Sequence, residues 1–430
     1  MQIKPYIKLI ATLAFSAIVL FVIREALPKP RTIGLVLTFT LVFGAWIEYW
    51  IRTNRLELPQ RICKIFLWIF YASLVGFFLM VLGMVISPIA FWSPFLRVYG
   101  YGMILVFVLI KIGIAKFFLL QFLLSKISFT QKIASPKRWF QITICITILA
   151  FSIVFYGLIY ETFNLRVHRF EVRNKVVPEK FDGYKIVQFS DMHIGSQVWN
   201  HYVKKLVDSI NAQNPDLVVF TGDMVNFHAG ELAPFVKIFS QIQAKDGVFV
   251  VLGNHDYSSY VNWKTPQDSI NDFQKLLDIY DSMGWRVLRN EHVWLRRGND
   301  SIVLAGVENY SSKRTKRWEN LADTRKALRG VSPSNFIVMI SHNPEHFNEK
   351  LQIKFPYVNL TLTGHSHGGQ IAIGAGKYQI SISQLAMKHW RGFHQFGDQY
   401  LNVCTGAGFN TLPFRFNMPP SISVITLKVD

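Results

Sequence analysis

The sequence predicts an α-helical transmembrane anchor followed by an α/β domain, built as a two-sheet β-sandwich flanked by helices. Two observations lead to this prediction. The first 165 residues hold 16 Lys and Arg and 4 Glu but no Asp, and long apolar runs follow one another there. After about residue 160, short β-branched runs alternate with amphipathic segments, which is typical of sheets covered by helices. We therefore expect two domains, residues 1–160 and 161–430.

Five apolar runs in the first domain have the length of a membrane-spanning helix. They lie at Leu9–Ile23, Ile33–Trp50, Ile65–Ile86, Tyr99–Leu124 and Trp139–Tyr160. A helix of roughly 20 apolar residues crosses a hydrocarbon core of roughly 30 Å. The first run could instead be a signal peptide, but no small-residue cleavage site follows it. We expect about five transmembrane helices, with the first one retained.

The basic residues of the short loops predict the orientation of these helices. The side that holds the N-terminus carries ten Lys and Arg, whereas the opposite side carries four. Because cytoplasmic loops are enriched in Lys and Arg, we expect the N-terminus in the cytoplasm. An odd number of spans then places the C-terminal domain on the outer side of the membrane.

The charge and the cysteines exclude two other classes of protein. Most of the net charge of +19 comes from the first 165 residues, where it flanks the apolar runs. No nucleic-acid-binding module and no basic helix with interleaved aromatic residues is recognisable, so no nucleic acid partner is expected. Cys63, Cys145 and Cys404 do not form the pattern of a disulfide framework.

Five short apolar runs of the second domain each end in a polar group. The runs, which we predict to be buried strands, are Lys185–Phe189, Leu217–Thr221, Val248–Leu252, Phe336–Ile340 and Val358–Thr363. The polar groups are Asp191-Met192-His193, Gly222-Asp223, Gly253-Asn254-His255-Asp256, Ser341-His342-Asn343 and Gly364-His365-Ser366-His367. Side chains at the carboxyl ends of strands meet at one edge of an open sheet. We therefore expect a single site made from all five groups.

Other segments complete the predicted domain. Amphipathic helices are expected at His201–Ala212, Glu231–Ile242, Ser269–Met283 and Trp318–Leu328. Later strands are expected at Tyr378–Ser381, Leu401–Thr405 and Ser421–Lys428. Because these last strands follow one another closely, we expect part of the sheet structure to be antiparallel or mixed.

The polar groups have the chemistry of a metal site. Asp and Asn supply hard oxygen ligands and His supplies nitrogen, a set that suits divalent Mn, Fe or Zn. A carboxylate can bridge two such ions, and two ions a few ångströms apart can clamp a phosphoryl group and generate a hydroxide nucleophile. A single Gly-Asp is usually a turn, and a single His after a strand is usually structural. Five groups in this order are hard to explain in that way.

The order Asp-x-His, Gly-Asp, Gly-Asn-His-Asp, His, Gly-His-x-His resembles the calcineurin-like metallophosphoesterase superfamily. The Gly-Gly-Gln after the last group and the tail from Gly406 to Pro420 resemble a bacterial, membrane-anchored branch of it. The branch usually has Glu after the paired prolines, where this sequence has Ser421. The resemblance covers roughly residues 165–430 and implies a bacterial inner-membrane protein with a two-sheet phosphoesterase domain.

The resemblance also implies roles for individual residues. It assigns one of two divalent metal ions to Asp191, His193, Asp223 and His367. It assigns the second ion to Asp223, Asn254, His342 and His365, with Asp223 as the bridge. His255 matches the proton donor to the leaving oxygen, Asp256 is placed to orient it, and metal-bound hydroxide is the expected nucleophile.

Weaker candidates lie outside these groups. Substrate phosphate contacts are predicted for Arg415 and for Lys313 and Arg314, which begin a short basic run. The alternatives are a structural arginine and a solvated loop. Asn226, His228 and His394 are candidates for supporting the site, with a solvated role as the alternative.

Together these predictions indicate a membrane-anchored dimetal phosphohydrolase that cleaves a phosphoester or pyrophosphate bond. The expected partners are membrane lipids and a phosphorylated small-molecule or lipid substrate. The resembling branch suggests UDP-diacylglucosamine, which is made in the cytoplasm, whereas an outward-facing domain favours a cell-envelope phospholipid, polyprenyl phosphate or cell-wall phosphodiester. Two alternatives remain at this point: a general phosphodiesterase merely tethered to the membrane, and a non-catalytic sensor or scaffold that uses the metal fold for binding.

Overall fold

The structure, a computed structural model, describes scattered residues between positions 44 and 83 and then residues 91–127, 130, 133, 135–312, 319–410 and 413–430. It divides into two compact units, Met1–Val154 and Phe155–Asp430. The first predicted span lies outside the described residues, and the second and third lie mostly outside them. The number of spans therefore stays a prediction.

Two long helices are described before the α/β domain: α1, Tyr101–Leu124, and α2, Pro136–Ile159. Neither contains Asp or Glu, and the segments Val106–Leu124 and Pro136–Phe163 are long and apolar enough to cross a membrane. They agree with the fourth and fifth predicted runs. Ile148 and Leu149 on α2 are both 61% exposed, as expected for side chains that face lipid.

The first unit has a small aromatic core of its own. The rings of Trp50 and Phe118 stack with their centroids 3.9 Å apart. The indole Nε1 of Trp50 donates to Oε1 of Gln121 at 2.7 Å. Since a polar side chain inside an apolar segment needs a partner, this hydrogen bond accounts for the buried Gln121.

The second unit contains twelve strands among the described residues. They are β1 Arg166–Arg173, β2 Lys185–Phe189, β3 Leu217–Phe220, β4 Val248–Val250, β5 Trp285–Val287, β6 Glu291–Arg297, β7 Asp300–Gly306, β8 Ile337–Ile340, β9 Leu360–Thr363, β10 Gly392–Phe396, β11 Gln399–Val403 and β12 Ser421–Lys428. Its α-helices are α3 Asn200–Asn211, α4 Val236–Phe239, α5 Pro266–Ser282, α6 Thr324–Ala327 and α7 Gln352–Lys354.

The strands form two mixed six-stranded sheets. The first has the order β1-β12-β2-β3-β4-β5, in which β12 runs antiparallel to β2 and the other neighbours are parallel. The second has the order β10-β11-β9-β8-β7-β6, with antiparallel pairs at its two ends. The two sheets and their flanking helices agree with the predicted sandwich.

Alternation along the strands produces three apolar layers. Ile186 of β2 and Val338 of β8 lie in the layer between the sheets. Val187, the next residue of β2, faces the helices that cover the first sheet. Ile337 of β8 likewise faces the outer layer of the second sheet. Because a strand buried on both faces needs apolar residues at every position, this packing explains the continuous apolar runs of the sequence.

Three predicted elements differ from the structure. The segment predicted as Glu231–Ile242 forms two 3₁₀ turns and the four-residue α4, since Pro234 interrupts the helical pattern. Trp318 lies outside the described residues, and of residues 319–328 only Thr324–Ala327 forms an α-helix. The predicted strand at Tyr378–Ser381 is reduced to one bridge between Ile373 and Ile380.

Candidate metal centre

The loops after β2, β3, β4, β8 and β9 bring the seven predicted ligands into one cluster. Six of the seven are at least nine-tenths buried, and His365 is partly buried. Ligand atoms lie within 4.8 Å of one another in three groups, which are Asp191, His193 and His367; His193, Asp223 and His255; and Asp223, His342 and His365. His193 and Asp223 link the groups into one continuous site.

Five of the seven residues have a left-handed backbone. Their φ angles are 51° at Asp191, 42° at His193, 60° at Asp223, 68° at His365 and 50° at His367. Such a conformation costs a non-glycine residue roughly 1–3 kcal/mol and is concentrated at functional sites. The strained backbone thus directs these side chains toward a common point.

Asp223 lies at the middle of the cluster. Its Oδ2 is 3.6 Å from Nε2 of His193 and 3.2 Å from Nε2 of His342. Its Oδ1 accepts a hydrogen bond from the backbone amide of His255 at 2.8 Å. A carboxylate with imidazoles on two sides has the placement that a bridging ligand requires.

The ring orientation of His342 suits a metal ligand. Its Nδ1 donates to the carbonyl oxygen of Thr221 at 2.7 Å. Nε2 is therefore the nitrogen that faces the cluster, and it lies 3.0 Å from Nδ1 of His365. Metal-binding histidines commonly donate their second ring nitrogen to a carbonyl in this manner.

Several buried polar atoms at the centre have no hydrogen-bond partner in the structure. They are both ring nitrogens of His193, both ring nitrogens of His367 and Oδ1 of Asn254. The Nδ2 of Asn254 donates to the Tyr260 hydroxyl at 2.8 Å, which leaves Oδ1 for the cluster. Because burying polar atoms without partners is costly, these atoms are well suited to coordinate divalent cations.

Burial dominates the electrostatics of the site. It raises the pKa of Asp191 to about 7, with the nearby Asp223 contributing in the same direction. It lowers the pKa of His193 to about 3. Burial opposes ionisation of Asp223 as well, but the adjacent His342 and other imidazoles hold the pKa of this carboxyl well below its usual range. Burial also opposes protonation of His342, but the Asp223 carboxylate raises the pKa of this imidazole to about 9. The site thus combines an ionised carboxylate with several imidazoles, a ligand set that can bind a dication when the imidazoles release their protons.

Two glycines of the sequence groups are needed for close packing at the site. A Cβ at Gly253 would collide with the Asp223 carboxylate and lie 2.6 Å from its backbone nitrogen. A Cβ at Gly364 would collide with the side chains of Ser190 and Asp191. The glycines therefore permit the loops to approach each other rather than bind anything themselves.

His255 lies at the partly open side of the cluster. Its Nδ1 is 2.7 Å from the carbonyl oxygen of Asn226, so Nδ1 carries the hydrogen and Nε2 is left for proton exchange. The ring stacks on Tyr260, with parallel planes and centroids 4.0 Å apart. Nε2 is 3.4 Å from Nδ2 of Asn410.

The orienting role predicted for Asp256 requires a correction. Its carboxylate accepts backbone hydrogen bonds from Gly253, Asp223 and Met224, each at 2.8 Å. The His255 ring is instead held by the Asn226 carbonyl and by Tyr260. Asp256 thus fixes the loops that carry the ligands and does not orient the proton donor.

The substrate contact predicted for Arg415 is also wrong for this structure. The residue is fully buried, and its guanidinium donates to the carbonyl oxygens of Gly408 at 2.6 Å, Thr405 at 2.9 Å and Met418 at 3.0 Å. All of its donors are directed at backbone, which makes it the structural arginine of the alternative. Lys313 and Arg314 lie outside the described residues.

Of the three supporting candidates, Asn226 and His228 lie on or next to the loop that holds His255, whereas His394 lies on β10. The backbone of Asn226 contacts His255, and its amide Nδ2 donates to the Ser196 hydroxyl at 2.8 Å. His228 precedes the 3₁₀ turn that follows this loop. His394, on β10, binds the carbonyl of Arg391 and stands outside the candidate metal groups.

Sequence reasoning missed Tyr260 and Asn410. Tyr260 lies five residues after His255, in a turn that carries no motif. Asn410 comes from the tail of the chain, 155 residues from the ring it approaches. No local pattern could have found Asn410, because only folding brings the tail to the site.

Comparison with known proteins agrees with this geometry. Residues 184–369 match the family model described as calcineurin-like phosphoesterase. A transmembrane protein with metallophosphoesterase domain from Danio rerio is 27% identical over 379 residues, which cover 86% of this chain and 82% of the relative. A metallophosphoesterase of Aquifex aeolicus is 28% identical over 269 residues, covering 62% of this chain and 94% of the relative.

A third relative has a more specific name. The UDP-2,3-diacylglucosamine pyrophosphatase LpxG of Chlamydia muridarum is 26% identical over 302 residues, covering 58% of this chain and 86% of the relative. The relatives named as transmembrane proteins and the two long apolar helices together indicate that this protein is associated with a membrane.

Proposed function

We propose that this protein, whose residues 184–369 form a calcineurin-like phosphoesterase domain, is a membrane-anchored dimetal phosphohydrolase acting on a lipid-linked or cell-envelope substrate. That it is a metal-dependent phosphoester hydrolase follows from the family. The clustering of six predicted ligands, with Asp223 in the middle, carries the finer proposal; the six are Asp191, His193, Asp223, His342, His365 and His367. A non-catalytic scaffold is disfavoured because no member of this set is replaced.

The proposed ligand division uses Asp223 as the shared residue. Asp191, His193 and His367 would complete one site, and Asn254, His342 and His365 would complete the other. The cations would be two of Mn, Fe or Zn, since the donor set contains nitrogen and hard oxygen but no thiolate. Bound divalent ions would neutralise charge on the phosphoryl oxygens and lower the pKa of water to the neutral range.

The chain itself would position the leaving group. His255 holds a hydrogen at Nδ1 against the Asn226 carbonyl, so a second proton at Nε2 is the one available to the departing oxygen. Stacking on Tyr260 limits rotation of the ring. Asn410 lies on the same side as Nε2 and is placed to contact the leaving group.

The substrate and the location are proposals of the same kind. We place the boundary between anchor and catalytic domain near residue 160, with several spans in a bacterial inner membrane and the domain on its outer side. Membrane association favours a substrate that carries a lipid. The name of the Chlamydia muridarum relative makes a UDP-diacylglucosamine-like lipid one candidate, although an outward-facing domain favours an envelope lipid phosphate.

The test is Mn-dependent hydrolysis by the full-length protein in lipid–detergent micelles. UDP-diacylglucosamine, a phosphorylated lipid and a small aryl phosphodiester would be compared, with Asp223→Asn as the control for contaminating activity. We expect turnover of a lipid substrate that is lost in the variant. Hydrolysis of the small diester without hydrolysis of either lipid would favour the tethered general phosphodiesterase. No activity above the variant with Mn, Fe or Zn would overturn the catalytic proposal.

A reporter fused to the C-terminus would test the orientation separately. We expect activity of a reporter that functions only outside the cytoplasm. Activity of a cytoplasmic reporter would contradict the outward orientation and favour a nucleotide-activated lipid as substrate.

A further inference from the structure

We propose that residues 371–385, named here the apolar hairpin, insert into the lipid surface beside the metal centre and bring the centre to phosphates carried by membrane lipids. The insertion is independent of catalysis, whereas the substrate class that it implies rests on the proposed function. Three observations carry the inference: the exposure of the hairpin, its attachment to the ligand loop and its continuity with the end of α2.

The apolar hairpin exposes an unusual amount of apolar surface. Its exposed large side chains are Ile371 at 41%, Ile373 at 67%, Tyr378 at 76%, Ile380 at 58%, Ile382 at 74% and Leu385 at 74%. Contiguous exposed apolar patches of this kind mark a surface that contacts a partner or a membrane. The backbone is ordered by paired hydrogen bonds between Ile373 and Ile380, at 2.9 and 2.8 Å. The exposure therefore belongs to a folded element.

The hairpin is attached to the loop that carries two predicted ligands. The hydroxyl of Ser383 donates to the carbonyl oxygen of Ser366, the residue between His365 and His367, at 3.2 Å. A Cβ at Gly369 would collide with the Ser381 hydroxyl. Because these contacts are direct, the position of the hairpin and the position of the ligand loop are fixed together.

The hairpin is also connected to the last turn of α2. The amide of Ala372 donates to the carbonyl oxygen of Phe416 at 3.0 Å, and Ile371 forms a bridge with the same residue. Two residues earlier, Phe414 packs so tightly on Gly157 of α2 that a side chain there would collide with its ring. The hydroxyl of Thr162 donates to the Pro413 carbonyl at 3.3 Å. The segment 413–416 thus joins the hairpin to the helix end.

That helix end has the features of a membrane interface. Phe155 is 50% exposed and Ile159 is 69% exposed. Tyr156 and Tyr160 follow on the same stretch with tilted rings 5.4 Å apart, and tyrosines are enriched where helices leave the bilayer. An apolar hairpin held next to such a helix end is continuous with the surface that contacts lipid.

The charge of the surrounding sequence favours lipid over a second protein copy as the occupant. Residues 350–397 contain no Asp or Glu. Arg391 is held at the hairpin, with Nη2 donating to the carbonyl oxygen of Gly376 at 2.7 Å. Apolar side chains combined with basic residues bind anionic lipid surfaces, whereas the same positive charge on two identical copies would repel.

The direct test is lipid quenching of a fluorophore on the hairpin. Full-length protein carrying Cys63→Ser and Cys145→Ser would receive Ile382→Cys, be labelled with an environment-sensitive dye, and be placed in nanodiscs of anionic and zwitterionic lipids. Ile270→Cys, on α5 over the first sheet and 59% exposed, is the matched control. Spin-labelled lipid should quench the dye at position 382 several-fold more than the dye at position 270.

A second measurement connects the hairpin to the substrate. The triple variant Ile373→Ser, Ile382→Ser, Leu385→Ser should lower the ratio of lipid to small-diester turnover by about tenfold, because apolar contact with the interface is lost. Ile270→Ser should leave that ratio unchanged. Using a ratio removes any loss caused by poor folding.

The outcomes separate this inference from the catalytic proposal. Equal, weak quenching at both positions would overturn the insertion of the hairpin. A dye at position 382 that lipid does not quench, together with cross-linking of two copies by the unlabelled Ile382→Cys variant, would overturn it as well. Quenching at position 382 with an unchanged turnover ratio would overturn the substrate role alone. If no phosphate ester is hydrolysed, the catalytic proposal fails while the quenching still decides whether the hairpin meets lipid.

Discussion

The carboxylate of Asp256 accepts a hydrogen bond from the backbone amide of Asp223 at 2.8 Å. The two residues belong to different loops, and Asp223 has a left-handed φ of 60°. A buried acceptor that binds amides of both loops holds Asp223 in its strained conformation. Asp256 therefore supports the predicted metal site without facing it.

We expect Asp256→Asn to weaken metal binding by about 10- to 100-fold, as loss of an outer partner commonly does. The amide presents an NH₂ group where the carboxylate accepted backbone hydrogen bonds, so part of the loop loses its acceptor. Titration of Mn into the full-length variant would measure the change. Asp281→Asn, an exposed acid at the end of α5, is the control, and equal affinities of the two variants would contradict the prediction.

His255→Gln should lower turnover of substrates with poor leaving groups by about 10²- to 10⁴-fold, the usual contribution of a positioned general acid. The loss should be much smaller for an aryl diester, whose phenolate departs without a proton. Rates for a series of alkyl and aryl esters would show this difference. His201→Gln, at an exposed position, should behave as wild type. A uniform loss across the series would refute the proton-donor role.

Arg415→Met should lower the free energy of unfolding of the second unit by about 3 kcal/mol or more. Several buried carbonyl oxygens would lose their hydrogen-bond donor, and each loss costs about 1–3 kcal/mol. Arg415→Lys should not rescue it, since an ammonium cannot reproduce the planar set of donors. Thermal unfolding in detergent would measure the loss, with Arg286→Met, at a side chain 56% exposed, as the control. A normal unfolding temperature with a raised KM would instead restore the substrate role.

Removal of divalent metal should abolish hydrolysis and lower the unfolding temperature together. Ions that bind only the folded state stabilise it by about 2.7 kcal/mol at 100 times Kd, and here they would also remove repulsion between buried carboxylates. Readdition of Mn should restore both properties. Asp223→Asn should show little thermal response to Mn, and a response as large as that of wild type would contradict its role as the shared ligand.

The central strands β2, β3, β4, β8 and β9 could be predicted because they are buried on both faces. Lys185–Phe189 was predicted with the same bounds that the structure shows, since its apolar run and the polar group after it are both local features. The segment around α4 was not, because a helical pattern competes there with Pro234 and tight turns. The strand predicted at Tyr378–Ser381 is not formed, because the alternation of apolar and polar residues on an exposed hairpin resembles that of a strand.

The candidate site was predictable only in part, because local sequence gives the type and order of its residues but not their contacts. The motif residues were identified by type and order, and the structure brings all seven predicted ligands together while their binding of metal stays a prediction. The roles of Asp256 and Arg415 were misassigned, because the sequence does not show which groups their side chains contact. In the structure both side chains bind backbone groups. Asp256 follows His255 but turns toward the backbone of another loop.

The sequence alone determined the division into an apolar, carboxylate-poor segment and an α/β domain, as well as the order of the polar groups. These properties depend on composition and short-range spacing, which need no knowledge of distant contacts. Only the tertiary structure decided that the Asn226 carbonyl holds His255, that Arg415 is buried, and that the apolar hairpin adjoins both the ligand loop and the end of α2. Such relations join residues far apart in the chain, and packing alone brings them within a few ångströms.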